Sequence, residues 1–323
     1  MLEADVEVDR REFSLRAAIR VAPGERLALF GPSGAGKTTL LETIAGLVHP
    51  RRGEVTLAGR VLTRTGRPPV AVPAWRRQVG LLRQDPGLFP HLSVRDNLTY
   101  APSADPPGAE LTELAEALGI GALLAAMPAR LSGGQQHRVA LGRLLLARCR
   151  ALLLDEPYSG LDAILRRSLT ALVVAMVTER AVPAVLVAHE LADAQAFANR
   201  MAVLDQGCVL QVGGPDEVVL RPASRRVAEL VGYLGFVPLP GGRLAGIHPD
   251  RVVAGSAPER GVLMAGLLGG CRPSGAGWEV DLELDSGTVT ARLPERPVTD
   301  SGELILTAID PPLFGPDGAS VSP

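Results

Sequence analysis

The chain has 323 residues, of which 46% are hydrophobic and only 3% aromatic, and a formal net charge of −2. That length accommodates a large domain and a small one, with cores built from Ala, Val and Leu. The charge balance gives no overall pull toward nucleic acid. No apolar run reaches the roughly 18–20 residues of a membrane span, and the first residues do not read as a basic-then-apolar leader. Cys149, Cys208 and Cys271 lie far apart, without metal spacing, and read as reduced thiols.

In chain order, Arg26–Gly31 (RLALFG) is a short apolar strand that runs into Gly31-Pro32-Ser33-Gly34-Ala35-Gly36-Lys37-Thr38-Thr39. This segment fits G-x-x-x-x-G-K-[ST], whose backbone N–H groups wrap nucleotide phosphates at the N-terminus of a helix. The helix is expected over Lys37–Leu47, ending near His49-Pro50. Lys37 is the only lysine among 33 basic residues. A compact ammonium on a flexible stem fits between β- and γ-phosphates where a planar guanidinium does not.

Further strands are expected at Val79–Arg83, Ala151–Asp155, Pro183–Ala188 and Met201–Leu204, with helices at Gly133–Arg148, Asp162–Glu179 and Glu190–Asn199. Their alternation predicts a mostly parallel α/β sheet. Ser132 is placed to cap the first of these helices, and Gly133 and Gly134 let a phosphate approach its free N–H groups. The strand Ala151–Asp155 ends in two acids, Asp155 and Glu156. Carboxylates at the end of an apolar strand need a cation, which Mg²⁺ on a nucleotide supplies. Asp155 and the Thr38 hydroxyl are its expected ligands, and Glu156 points beyond it toward an attacking water.

The pattern changes after Pro222. Residues 222–242, with Pro238, Pro240, Gly241 and Gly242, read as a linker that follows a domain over 1–221. From 243 to 312 short alternating segments predict a small all-β, OB-like domain: Trp278–Leu284 and Thr288–Leu293 as a hairpin around Asp285-Ser286-Gly287, and Gly302–Ile309 as another strand. Residues 313–323 read as a disordered tail.

Taken together, the phosphate loop, Gln84, Leu131-Ser132-Gly133-Gly134-Gln135, Ala151–Pro157 and His189 stand in the order found in one family. Residues 1–221 resemble the nucleotide-binding subunit of ATP-binding cassette transporters, a P-loop NTPase cassette with a helical subdomain. The resemblance implies ATP and Mg²⁺ as cofactors. It also implies head-to-tail pairing with a second copy, with ATP held between the phosphate loop of one and Ser132, Gly133, Gly134 and Gln135 of the other. Gln84 would touch Mg²⁺ and report the nucleotide state, and His189 would contact the γ-phosphate. Glu156, Lys37, Gln84 and His189 form the expected catalytic set, and Thr38, Gln84 and Asp155 the metal set. Ser159-Gly160-Leu161-Asp162 corresponds to the family's inter-subunit loop, with Gly160 where alanine is usual. Membrane permease subunits, and indirectly a solute-binding protein, are the implied partners, which puts the chain at the cytoplasmic face of a membrane.

The family stacks adenine on an aromatic residue between its first two strands. Here Asp9-Arg10-Arg11-Glu12 occupies that place, and Phe13 alternates with Leu15 and Ile19 as a core residue, so Arg10 or Arg11 is expected at the base. His49, His91, His137 and His248 occur singly and read as structural or surface residues. Leu88, Phe89 and Leu92 either meet a helix of the membrane subunit or belong to the core.

Arg83–His91, Pro73–Gly80, Gly59–Leu62 and Ala245–Val252 are most similar to molybdate import subunits, with His248 in place of a usual arginine. Iron(III), sulfate and sugar importers are the open alternatives, and the C-terminal β domain disfavours an exporter. A cassette ATPase working on DNA would need a long coiled coil or a basic face, and the sequence has neither.

Overall fold

The computed structural model describes residues 1–10, 13–101, 108–255, 261–275, 277–299 and 302–321. It divides into two compact units, Met1–Pro215 and Asp216–Pro323.

The strands of the first unit are β1 (Leu2–Asp9), β2 (Ser14–Val21), β3 (Arg26–Phe30), β4 (Arg52–Leu57), β5 (Arg60–Arg64), β6 (Val70–Ala71), β7 (Val79–Leu82), β8 (Ala151–Asp155), β9 (Ala184–Ala188), β10 (Arg200–Asp205) and β11 (Cys208–Gly213). They form one 11-stranded sheet in the order β6-β5-β4-β1-β2-β11-β10-β3-β9-β8-β7. The helices are α1 (Lys37–Ala45), α2 (Val94–Leu98), α3 (Gly108–Ala117), α4 (Gly133–Leu146), α5 (Ala163–Arg180) and α6 (Leu191–Phe197), with α7 (Pro215–Leu220) beginning at the boundary.

The sheet is mixed rather than mostly parallel. From β10 to β7 every pairing is parallel, and the helices after β8 and β9 make the return connections that such a parallel half demands. From β6 to β2 the strands are antiparallel. Residue pattern separates the two halves. β8 and β9 are buried at every position, as strands covered on both faces are. In β1 only Leu2, Ala4, Val6 and Val8 are buried, and in β2 only Leu15, Ala17, Ile19 and Val21, so each buries one face.

Between β7 and β8 the chain makes a helical insertion. α4 crosses α2 and α3 at Gly142, where a Cβ would come within 2.6 Å of Leu98 and 2.7 Å of Leu118. α1 starts directly from the phosphate loop and stops at Gly46, whose φ of +87° lets its N–H reach the Glu42 and Thr43 carbonyls.

The second unit contains α8 (Arg225–Leu230) and β12 (Gly235–Leu239), β13 (Arg243–Ile247), β14 (Val252–Ala254), β15 (Gly261–Ser274), β16 (Gly277–Leu284), β17 (Gly287–Leu293), β18 (Glu303–Ile309), β19 (Leu313–Phe314) and β20 (Ser320–Val321). These form sheets ordered β12-β13-β19-β20 and β14-β18-β15-β16-β17. Ala245 and Ile247 of the first sheet share a core with Val280, Leu282, Ala291 and Leu306 of the second.

Two expectations are corrected here. Residues 222–242 are not a bare linker, since α8 and β12 lie within them and β12 pairs antiparallel with β13. Pro238 is tolerated because β12 is an edge strand and needs no second ladder. Residues 313–321 are not a loose tail: Leu313 and Phe314 pair with β13 and with β20, and Phe314 is fully buried.

Candidate nucleotide site

β3, β8 and β9 deliver their C-terminal ends to one edge of the sheet, and the candidate residues follow directly from those ends. A cleft of about 510 Å³ opens there, lined by Phe13, Ser33, Gly34, Gly36, Lys37, Thr38, Thr39, Gln84, Glu156 and His189. Open crevices of this kind, at the carboxyl ends of parallel strands, are where α/β sheets take ligands.

Backbone geometry makes the loop glycines necessary. Gly31 has a φ of +148°, and a Cβ there would fall 2.0 Å from the Leu204 carbonyl oxygen. At Gly36 (φ +100°) a Cβ would press on Leu15 and Phe13 at 3.0 and 3.2 Å, whereas at Gly34 (φ +80°) it would meet only open space. Gly34 thus keeps the cleft wall bare for a phosphate. Ala35 is buried, and its carbonyl accepts from the Gly207 N–H at 3.2 Å, so it anchors the loop without lining the cleft.

Lys37 is only 5% exposed. Its Nζ donates to the Gly31 and Pro32 carbonyls, both at 2.8 Å. Burial lowers its pKa, while the nearby carboxylates of Glu156 and Asp155 oppose that shift. Asp155 is likewise 5% exposed. Burial raises its pKa, the Thr38 hydroxyl pulls it down, Glu156 and Glu42 push it up, and Lys37 pulls it down. The Thr38 Oγ1 donates to Asp155 Oδ1 at 3.2 Å. A desolvated carboxylate beside a hydroxyl is an oxygen donor set suited to a hard cation. Among the described residues no group of three or more His, Cys, Asp or Glu side chains is placed to hold a metal. A cation held here would need phosphate and water to complete its shell, as is usual for Mg²⁺.

Glu156 has a φ of +52°. Its Oε1 meets His189 Nε2 in a short hydrogen bond, so the residues following β8 and β9 touch across the floor of the cleft. Gln84 lies two residues beyond β7, on the cleft wall.

The other predicted residues lie elsewhere. Ser132 caps α4 in a reciprocal box, with its N–H donating to Gln135 Oε1 at 2.8 Å and the Gln135 N–H donating to its Oγ at 3.3 Å. Ser132 and Gly133 are exposed, Gly134 and Gln135 are half-buried, and none of the four lines the cleft. Asp162 caps α5 by accepting from the Ile164 and Leu165 N–H groups at 3.0 and 2.9 Å. Gly160 has a φ of +74°, which explains glycine in place of alanine at this position.

Arg11 lies outside the described residues, and Arg10 is held by Glu42 at 3.1 Å. Phe13, read as a core residue, has a double role: it packs against the sheet core and also lines the cleft. It stands one residue before β2, in phase with the alternation that buries Leu15 and Ile19, and is only half-buried, so part of its ring is left to the cleft. Residues 10 and 13 close the turn through the Arg10 N–H and the Phe13 carbonyl at 2.9 Å.

Residues 16–159 match the family described as ABC transporter. The chain is 42% identical over 237 residues to the Fe(3+) ions import ATP-binding protein FbpC of Mesorhizobium japonicum, across 70% of this chain and 65% of that protein. It is 40% identical over 229 residues to the molybdenum import ATP-binding protein ModC of the same organism, across 70% of this chain and 61% of that protein. The chain therefore spans less than two thirds of the length of either relative. Among solved structures, a dimeric post-hydrolysis state of an ATP-binding cassette bound to ADP and Pi is similar with a TM-score of 0.56 at 25% identity, covering 67% of this chain and 99% of that one. Identities of 42% and 40% do not single out the molybdenum relative that the sequence resemblance favours.

Proposed function

With an ABC-type ATPase cassette as its first unit, we propose that this protein is the ATP-hydrolysing subunit of an importer that moves an inorganic ion through a separate membrane permease. The observation that carries the proposal is the convergence of Lys37, Thr38, Gln84, Glu156 and His189 on one cleft. In this reading the loop N–H groups and α1 bind the phosphates. Lys37, already held against the Gly31 and Pro32 carbonyls, turns its ammonium onto the β- and γ-phosphates. Thr38, Asp155 and Gln84 hold Mg²⁺, which when bound neutralises charge on the phosphate oxygens. Glu156 orients the attacking water and accepts its proton as the water oxygen approaches phosphorus. His189 holds the Glu156 carboxylate and faces the γ-phosphate. Phe13 supplies the apolar surface for the base.

Ser132, Gly133, Gly134 and Gln135, exposed or half-buried away from this cleft, fit the phosphates of a second copy's site. Pairing is head to tail, with Asp162 and Gly160 near the seam. No helix among the described residues is long and apolar enough to cross a membrane, so transport falls to the permease partner.

Among inorganic ions, iron(III), sulfate and molybdate are the cargoes in view, and the relatives named for iron and molybdenum support the first and the last. The test has two stages. The purified protein hydrolyses ATP, and Lys37→Ala loses nucleotide affinity and turnover together. A protein that neither binds nor hydrolyses ATP ends this reading. Cells lacking the chain are then assayed for iron, molybdenum, tungsten and sulfur under limiting supply. Selective loss of molybdenum, rescued by high external molybdate, selects molybdate, and selective loss of iron selects iron. Normal levels of all four elements reject an inorganic-ion cargo.

A further inference from the structure

Gln84 is exposed and lies two residues past the end of β7, where no sheet ladder fixes its backbone. What holds that backbone comes from α4. His137 Nε2 lies 2.7 Å from the Gln84 carbonyl oxygen, and its Nδ1 lies 3.1 Å from the Gly133 carbonyl oxygen, one turn back in the same helix. The ring thus bridges the helix that begins at Ser132 and the residue that lines the cleft. A second anchor lies two turns further along α4. Arg143 donates to the Pro86 and Gly87 carbonyls at 3.0 and 3.1 Å and sits 5.3 Å from the centre of the Phe89 ring. The segment 84–89 is therefore tied at both ends to the helix whose N-terminus is capped by Ser132.

We propose that His137 is a positioning residue for Gln84: by donating from Nε2 to the Gln84 carbonyl, it fixes where the Gln84 side chain meets the metal-bound nucleotide and couples that position to the orientation of α4. The inference rests on the ATPase reading and adds a residue that reads from sequence as an ordinary surface histidine. His137 makes no contact with the cleft, and its role runs entirely through Gln84.

Two substitutions separate this role from simple capping of α4. The amide nitrogen of glutamine reaches the place of imidazole Nε2, and that of asparagine reaches the place of Nδ1. His137→Gln thus keeps the donor to Gln84, whereas His137→Asn places an amide only beside the Gly133 carbonyl and loses the donor to Gln84. Two quantities are measured on the full-length chain: the ATP hydrolysis rate, and the Mg²⁺ concentration giving half-maximal thermal stabilisation at saturating ATP. The expected result is a parental His137→Gln and a His137→Asn that loses about tenfold in rate. His137→Asn should also need several-fold more Mg²⁺ for stabilisation. Parental behaviour of His137→Asn overturns the proposal, and so does equal impairment of both variants, which would point to ring packing. A parent chain that ATP and Mg²⁺ fail to stabilise overturns the ATPase reading first, and this inference with it.

Discussion

Glu156 holds a left-handed backbone conformation, with a φ of +52°, that costs an L-residue about 1–2 kcal/mol. β8 before it is buried at every position, so the strand cannot shift to relieve that turn. The turn brings the carboxylate against His189. Strain retained at a cleft wall fits a residue whose direction matters more than its comfort. Glu156→Gln preserves size and a hydrogen-bonding oxygen but removes the proton acceptor. ATP hydrolysis should fall by at least about 100-fold, while ATP binding, measured by equilibrium dialysis, stays near the parental value. A variant that hydrolyses at close to the parental rate would remove Glu156 from the role of base.

At the level of elements, the buried arginine at the end of α1 shows most clearly what packing decides. Arg77 is 2% exposed and donates to the Val72, Thr43 and Ile44 carbonyls and to Thr63 Oγ1. Thr43 and Ile44 lie in the last turn of α1, whose free carbonyls favour a cation. Burial lowers the pKa of Arg77, yet its four acceptors hold the fork in place. Arg77→Ala should destabilise the first unit by about 3 kcal/mol, seen as a lower denaturant midpoint at constant slope. Arg77→Lys should not restore it, because an ammonium cannot span these acceptors. An unchanged midpoint in Arg77→Ala would show that water replaces the guanidinium. The sequence offers Arg76 and Arg77 side by side, and nothing local says which one turns inward. By contrast β8 was legible to the residue, because a continuous apolar run closed by two acids has few other readings. The helices after β3, β8 and β9 were legible for the same local reasons. The place of β2 in the sheet was not, since its parallel neighbour β11 follows almost two hundred residues later in the chain. Residues 222–242 misled through composition: Pro238, Gly241 and Gly242 read as a linker but serve an edge strand and the tight turn beyond it. In the site, the phosphate loop, Asp155, Glu156 and His189 were legible as motifs. Phe13 and His137 were not, because only three-dimensional neighbours distinguish them.

Across the whole molecule each unit carries its own sensitivity. In the second unit His248 is half-buried beside Tyr233, with ring centres 5.1 Å apart, and its Nδ1 accepts from the Asp250 N–H at 3.3 Å. Burial lowers its pKa below 6.5, Asp250 opposes the shift, and Arg292 and Arg251 add to it. A histidine with a depressed folded pKa stabilises the fold above the unfolded value, and that contribution is lost as pH falls through the folded value. Unfolding of the second unit should therefore ease progressively below pH 6.5. His248→Asn keeps an acceptor for the Asp250 N–H and removes the titration, so its melting temperature should fall less between pH 7 and pH 5 than that of the parent. Parallel pH profiles would assign the acid sensitivity to other groups. The first unit meets a different demand. Ser132 and Gly133 face outward, away from its cleft, so under the proposed pairing its chemistry would depend on a partner surface.

One feature of Lys37 reaches beyond nucleotide chemistry. Because no other lysine exists in the chain, a protease that cuts only after lysine has a single target bond, between Lys37 and Thr38. That bond lies in the first turn of α1, beside a side chain 5% exposed. The folded protein should resist such digestion, and each cut should mark a molecule whose phosphate loop has opened. The rate of appearance of two fragments, read on a gel, would then report how often the loop lets go and how firmly a bound nucleotide keeps it shut.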